Sequence, residues 1–150
     1  VPQLEKNYNV SKDRAQHAIA GLSMGGGTTL YTGLNHLEYF SYIGAFSSAV
    51  AGPPRAGAPT ASAAAPAVAP PSAEETYAKQ YPKVDEKVNS QIKLLWIACG
   101  KQDFLIENNR TFKKWLTSKN VKYTDVEFEG AHTFMVWRRN LTDFAPLLFK

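Results

Sequence analysis

The stretch Ala18-Ile19-Ala20-Gly21-Leu22-Ser23-Met24-Gly25-Gly26-Gly27 constrains this chain more than any other. Its apolar opening, Ala18-Ile19-Ala20, reads as the end of a buried strand. Gly21-Leu22-Ser23-Met24-Gly25 fits the pattern G-x-S-x-G, and Thr28-Thr29-Leu30-Tyr31 opens a helix. Strand, sharp turn and helix in that order hold a serine on a strained turn with its hydroxyl clear of the backbone. Gly21 and Gly25 carry no Cβ, which lets strand and helix approach closely around the turn. The helix N-terminus presents free N–H groups beside Ser23, where negative charge could be met. The glycine run suits a phosphate loop less well. Such a loop needs Gly-Lys-Ser/Thr, and here Gly27 precedes Thr28-Thr29 with no lysine.

The pattern is short, so the remainder of the chain decides its meaning. At 150 residues the chain has the length of one domain, and 44% hydrophobic with 12% aromatic content provides for a core. No apolar run reaches the ~18 residues of a membrane span. The opening Val1-Pro2-Gln3-Leu4-Glu5-Lys6 has no signal-peptide pattern. The formal charge of +4 comes from scattered Lys and Arg, mostly beside acidic residues, which argues for a solvated surface rather than a nucleic-acid footprint. Cys99 is the single cysteine, and its setting in Trp96-Ile97-Ala98-Cys99 suggests a small buried hydrophobe.

Hydrophobic spacing predicts strands alternating with helices. Residues 14–20 carry a strand into the turn, and residues 28–37 form a helix burying Leu30, Leu34 and Leu37. Residues 40–46 form a second strand. Residues 51–73 hold six of the nine prolines, almost no charge and no apolar period, so they read as a flexible Ala/Pro-rich insertion. Ser72 and Glu75 have capping-box spacing for a short helix ending before Pro82. Residues 92–98 are nearly all apolar, as a central strand of a parallel sheet would be. Residues 107–119 form a helix with Phe112, Trp115 and Leu116 on one face. Residues 123–128 alternate like an edge strand. A last helix is expected to bury Phe134, Trp137, Leu141, Phe144 and Leu148. The implied class is α/β with a mostly parallel sheet.

In such a sheet, sites form on loops leaving the C-terminal ends of strands. Three of these loops carry Ser23, Asp103 and His132, in the chain order of the α/β-hydrolases. Ser23 would be the nucleophile, His132 its base and then the acid for the leaving group, and Asp103 the group that fixes the imidazole. Competitors fit less well. His17 lies at the wrong end of its strand, His36 on the helix after the turn, and Ser47-Ser48 lacks the flanking glycines. No His/Cys/carboxylate cluster has metal-ligand spacing, so neither metal nor cofactor is expected. Asn9, Asn109 and Asn140 open glycosylation sequons, a weak pattern.

Residues 14–27, the run Leu94-Leu95-Trp96-Ile97-Ala98-Cys99-Gly100-Lys101-Gln102-Asp103, and the stretch from Glu129-Gly130-Ala131-His132-Thr133-Phe134 onward resemble the esterase D-like family of α/β-hydrolases, above all bacterial feruloyl esterase domains. The resemblance covers nearly the whole chain outside residues 51–73. It implies an α/β-hydrolase-type sheet with flanking helices, the triad Ser23, Asp103 and His132, and the backbone N–H of Met24 as one oxyanion donor. It also implies hydrolysis of feruloyl or acetyl esters of plant cell-wall polysaccharide, in a secreted or periplasmic setting, on an ester substrate without nucleic acid or membrane. A siderophore or S-formylglutathione-type (thio)esterase is the alternative within that class, and a non-catalytic fragment or binding module the alternative outside it. Relatives place several strands and a second oxyanion donor before the turn. With 22 residues ahead of Ser23, the chain reads as the C-terminal part of one catalytic domain, with the flank of its first strand exposed.

Overall fold

A computed structural model describes residues 1–50 and 71–150. Most of the proposed 51–73 insertion lies outside the described residues. Its last residue does not belong to a loop, because Ala73 already opens a helix.

The chain begins with a short helix, α1 (Pro2–Asn7), and a single 3-10 turn at Arg14–Gln16. β1 (Ala18–Leu22) follows, then α2 (Met24–Asn35) and β2 (Tyr42–Phe46). α3 (Ala73–Gln80) starts at the expected capping box: the Ser72 hydroxyl accepts from Glu75 N–H while the Glu75 carboxylate accepts from Ser72 N–H. α4 (Val88–Gln91) is one turn, leading into β3 (Leu94–Gly100), α5 (Ile106–Ser118), β4 (Thr124–Phe128) and α6 (Phe134–Phe144). The four strands form one sheet in the order β1-β2-β3-β4, every pair parallel. This is the expected α/β class, with β3 inside and β4 at an edge.

Strand parity divides the core in two. Ile43, Ala45, Leu95 and Ile97 face one side, where Leu30 and Leu34 of α2, Tyr77 of α3 and Phe112 and Leu116 of α5 close the larger cluster. Phe46, Trp96 and Ala98 face the other side and meet Phe144 of α6. Both central strands are therefore covered on both faces, which explains their nearly unbroken apolar sequence. The expected stripes are buried, though α2 ends at Asn35, so Leu37 is buried from the turn that follows and not from the helix.

α6 differs from expectation. Phe144 is buried, but Phe134 is 68% exposed and Leu141 53% exposed, and Leu148 falls after the helix. An apolar side chain on α6 therefore does not by itself mark the core face. Several strands also start later than read, because residues 40–41 and 92–93 serve as connectors. Ser41 in that stretch bonds across to His17 O and receives Lys93 N–H.

Candidate active site

β1 runs straight into α2, with Ser23 as the only hinge. Ser23 takes φ 54°, ψ −121°, a conformation that an L-residue adopts at a cost of about 1–3 kcal/mol. Three backbone bonds hold it there. Its N–H donates to Phe46 O at 2.9 Å, and its carbonyl accepts from Gly27 N–H at 3.1 Å and Ala49 N–H at 2.9 Å. Of the two flanking glycines only Gly21 is sterically required. A Cβ on Gly21 would lie 2.4 Å from the Gly25 carbonyl oxygen, whereas one on Gly25 would meet nothing within 4 Å. The helix also begins earlier than read, at Met24 rather than Thr28. Met24 therefore stands in the first turn, where backbone N–H groups have no intrahelical acceptor.

Asp103 is set by the end of β3. Its N–H bonds Gly100 O, and its Oδ1 accepts from Leu105 N–H at 2.9 Å. The residue is 2% exposed. His132 follows β4 in a loop laced to the Asp103 loop. Gln102 N–H donates to Gly130 O, Gly130 N–H donates to the Gln102 side chain, and Lys101 and Gln102 both donate to the Glu129 carboxylate. Gly100 permits this lacing, since a Cβ there would sit 2.2 Å from Gly130 O.

The structure brings all three sequence-selected side chains together. His132 Nδ1 lies 2.8 Å from Asp103 Oδ2, and His132 Nε2 lies 3.0 Å from Ser23 Oγ. With a carboxylate on Nδ1, that nitrogen carries the proton and Nε2 is free to accept from the hydroxyl. The three members are separated by 109 and 29 positions in sequence, so only the parallel sheet assembles them.

Two neighbours escaped the sequence reading. The ring of Phe104 lies 4.6 Å from the His132 ring, and that of Trp137 lies 4.8 Å away edge-on. Position after Asp103 was the available signal for Phe104. Trp137, assigned to the core by periodicity, does pack against the smaller cluster, and its ring also lies beside the histidine. Each of the three loops also places an exposed apolar side chain just after its polar one: Met24 at 79%, Phe104 at 61% and, two residues on, Phe134 at 68%. The rim of the site is apolar.

The excluded candidates behave as bystanders. His17 lies between two carbonyl oxygens, of Tyr39 and Ser11, at the far end of the sheet. His36 pairs with Glu38 on the surface. Ser47 and Ser48 are buried beneath the turn, with Ser48 against Gly26. Cys99 is buried, and burial pushes its thiol pKa up to about 12. Asn109 and Asn140 are fully buried, so neither sequon is open to modification in the fold. Among the described residues no group of His, Cys, Asp or Glu could hold a metal ion, and no helix is long and apolar enough to cross a membrane.

A parallel sheet with a serine on a strand-to-helix hinge, facing a histidine and a carboxylate on later strand ends, is the α/β-hydrolase arrangement. Residues 1–148 match the Esterase family, described as "Putative esterase", and the chain belongs to that family. It is 28% identical over 151 positions to an endo-1,4-beta-xylanase/feruloyl esterase of Xylanibacter ruminicola, covering 100% of this chain and 16% of that protein. It is 26% identical to an acetyl esterase of Caldicellulosiruptor saccharolyticus, covering 91% of this chain and 55% of that one. A solved ferulic acid esterase superposes with TM-score 0.73 at 26% identity, over 99% of this chain and 58% of its own. The chain thus spans less than two thirds of the length of each of these relatives.

Proposed function

We propose that the protein is a serine carboxylic-ester hydrolase working through an acyl-enzyme on Ser23. The observation that carries the reading is the unbroken path from Ser23 Oγ through His132 to buried Asp103, at 3.0 and 2.8 Å, in a member of an esterase family. Ser23 Oγ attacks the ester carbonyl carbon as its proton passes to His132 Nε2. The carbonyl oxygen becomes an oxyanion, met by the N–H of Met24 at the positive end of α2. Collapse breaks the ester C–O bond, and His132 gives its proton to the departing alcohol. Water, deprotonated by His132, then attacks the acyl-serine and releases the acid and Ser23. Asp103 keeps the productive tautomer and stabilises the imidazolium.

The substrates proposed are feruloyl or acetyl esters of plant cell-wall polysaccharide. Support comes from the relatives' names, one pairing a xylanase with a feruloyl esterase and the other an acetyl esterase. The apolar rim of Met24, Phe104 and Phe134 suits an acyl group without charge.

A fluorophosphonate probe tests the nucleophile. It is expected to label Ser23 in the unaltered chain and to leave Ser23→Ala unlabelled. Asp103→Asn should fold, present the wrong tautomer and lower kcat on a feruloyl or acetyl ester by up to about 10⁴-fold. Near-full turnover by that variant would mean that another acid orients His132.

A further inference from the structure

Two adjacent asparagines near the start of α5 have no part in the chemistry proposed above. Asn109 is fully buried, and its Nδ2 donates to two carbonyls, those of Ser48 and Leu105, at 2.9 Å each. Asn108 pairs twice with one residue. Its Oδ1 accepts from Val50 N–H and its Nδ2 donates to Val50 O, both at 3.0 Å. Three of these four bonds end on residues 48–50, the segment that leaves β2 after a sharp turn at Ser47, φ 46°. The fourth ends on Leu105, whose N–H donates to Asp103 Oδ1.

We propose that Asn109 is a positioning residue for ester hydrolysis: its amide sets the nucleophile and the acid relative to each other, with Asn108 as a second anchor on the nucleophile's side. This rests on the serine-esterase reading above. Asn109 is sealed from solvent and touches no substrate, so it acts through the backbone of other residues.

On the nucleophile's side, the strained Ser23 backbone is held by the chain that the asparagines fix. Ser23 N–H donates to Phe46 O, and Ser23 O accepts from Ala49 N–H. Ala49 lies between Ser48 and Val50, the two residues that Asn109 and Asn108 grip. A shift of residues 48–50 therefore draws the Ser23 carbonyl with it. The segment has no slack toward α2, since a Cβ on Gly27 would stand 2.2 Å from Ala49 O. With α2 that close on one side, the amides of α5 decide from the other side where the segment lies.

On the acid's side, Leu105 O receives Asn109 N–H as well as Nδ2, while Leu105 N–H holds the Asp103 carboxylate. One side chain thus grips both the segment behind Ser23 and the loop of Asp103. What it supplies is direction rather than adhesion. α5 docks through the apolar area of Phe112, Trp115 and Leu116. Asn109 Oδ1 finds no partner among the described residues, and a buried acceptor left unpaired opposes stability. The path from Ser23 through His132 to Asp103, at 3.0 and 2.8 Å, is the kind of geometry that such direction serves.

The experiment follows fluorophosphonate labelling of the full chain against probe concentration, which separates affinity for the probe from the limiting rate of bond formation at Ser23. Asn109→Leu keeps the volume and removes the donors. It is expected to lower the limiting rate about 10- to 100-fold, toward the cost of a misplacement near 1 Å, with the probe affinity and the final labelled fraction unchanged. Asn108→Ala, at a half-buried position, should lower the same rate by a smaller factor, and it decides the matter alone where Asn109→Leu does not fold. Val88→Ala is the control for stability: it opens the core at the other end of β3 from Asp103, so it should lower the melting temperature and keep the parental rate. A smaller labelled fraction at the parental rate would assign Asn109 to folding alone. Weaker probe affinity at the parental rate would assign it to binding, and equal slowing by Val88→Ala to general loosening. Each of these overturns the proposal. A second measurement does not depend on reaction at Ser23. The downfield proton resonance of His132 Nδ1, assigned by its loss in His132→Gln, reports the bond to Asp103. Asn109→Leu should shift or broaden it, and an unmoved resonance overturns the proposal. A chain that is never labelled, but whose resonance responds to Asn109→Leu, would refute the nucleophile and keep the positioning role.

Discussion

Gly100 shows how much of this site depends on a single missing atom. It ends β3 three residues before Asp103, and its Cα faces the carbonyl of Gly130, two residues before His132. A methyl group placed there would stand 2.2 Å from that oxygen and 3.2 Å from the Ala131 oxygen, so one of the two loops must move. Either movement parts Nδ1 of His132 from Asp103 or Nε2 from Ser23. Gly100→Ala is therefore expected to slow fluorophosphonate labelling of Ser23 by about 10²-fold, the usual cost of a misplacement near 1 Å. Its melting temperature should also fall, by an amount matching the roughly 1–3 kcal/mol of an overpacked site. Labelling at the parental rate would show that the loops have slack. The polar residues of the site were legible in the sequence because their order and their places after strands are chemical signals. The requirement at Gly100 was not, because it comes from a loop about 30 positions away that only the sheet brings near.

At the level of elements, Arg14 and Glu127 tie the sheet together from opposite ends. Arg14, the first residue of the stretch read from sequence as the opening strand, sits ahead of β1 and donates to the carbonyls of Leu37 and Phe40 before β2 and of Gln91 before β3. One guanidinium thus fixes three strand entrances. Arg14→Met keeps the stem and strips the donors; a loss of about 2–4 kcal/mol is expected from unpaired, half-buried carbonyls, read as a lowered melting temperature. Glu127 sits on β4 and joins it to α5. Hydrogen bonds from Arg110, then Lys113, hold its carboxyl at about 2, against the opposing effect of burial and well below the ordinary 4.5. Because the folded value is the lower one, the stability it contributes is present above about pH 4.5 and is lost as pH falls toward 2. Glu127→Gln should melt earlier than the unaltered chain at neutral pH, and the gap should close across that acid window. A gap independent of pH would place the effect in packing rather than charge. The sequence showed β4 as an alternating strand, but it could not show which of its carboxylates would meet a basic partner on α5.

Across the whole molecule, the two edges of the sheet are finished differently. β4 carries Asp125 and Glu127, both bridged to Lys113, and charged side chains of this kind discourage another strand from pairing. β1 reads Ala18-Ile19-Ala20-Gly21-Leu22 and bears no charge. It pairs with β2 on one side, and among the described residues no strand lies on the other. α6 packs on β2 and β3, so the same face of β1 is uncovered, with Ala20 exposed and Leu22 41% exposed. The sequence reading anticipated this bare flank from the position of the serine turn. It could not anticipate the uncovered face, which depends on where α6 comes to rest. Half of the β1 backbone N–H and C=O groups thus point outward beside an apolar surface, the arrangement that templates pairing with a second chain. The 150-residue chain is therefore expected to self-associate as its concentration rises, seen as a growing sedimentation coefficient. Ala20→Lys places a charge on the uncovered face, away from the Ser23–His132 pair and without touching a backbone bond. It should shift the chain toward monomer while fluorophosphonate labelling of Ser23 continues at its former rate. A chain that stays monomeric throughout the concentration series, with or without the lysine, would show that the twist of β1 alone is enough to keep this edge from pairing.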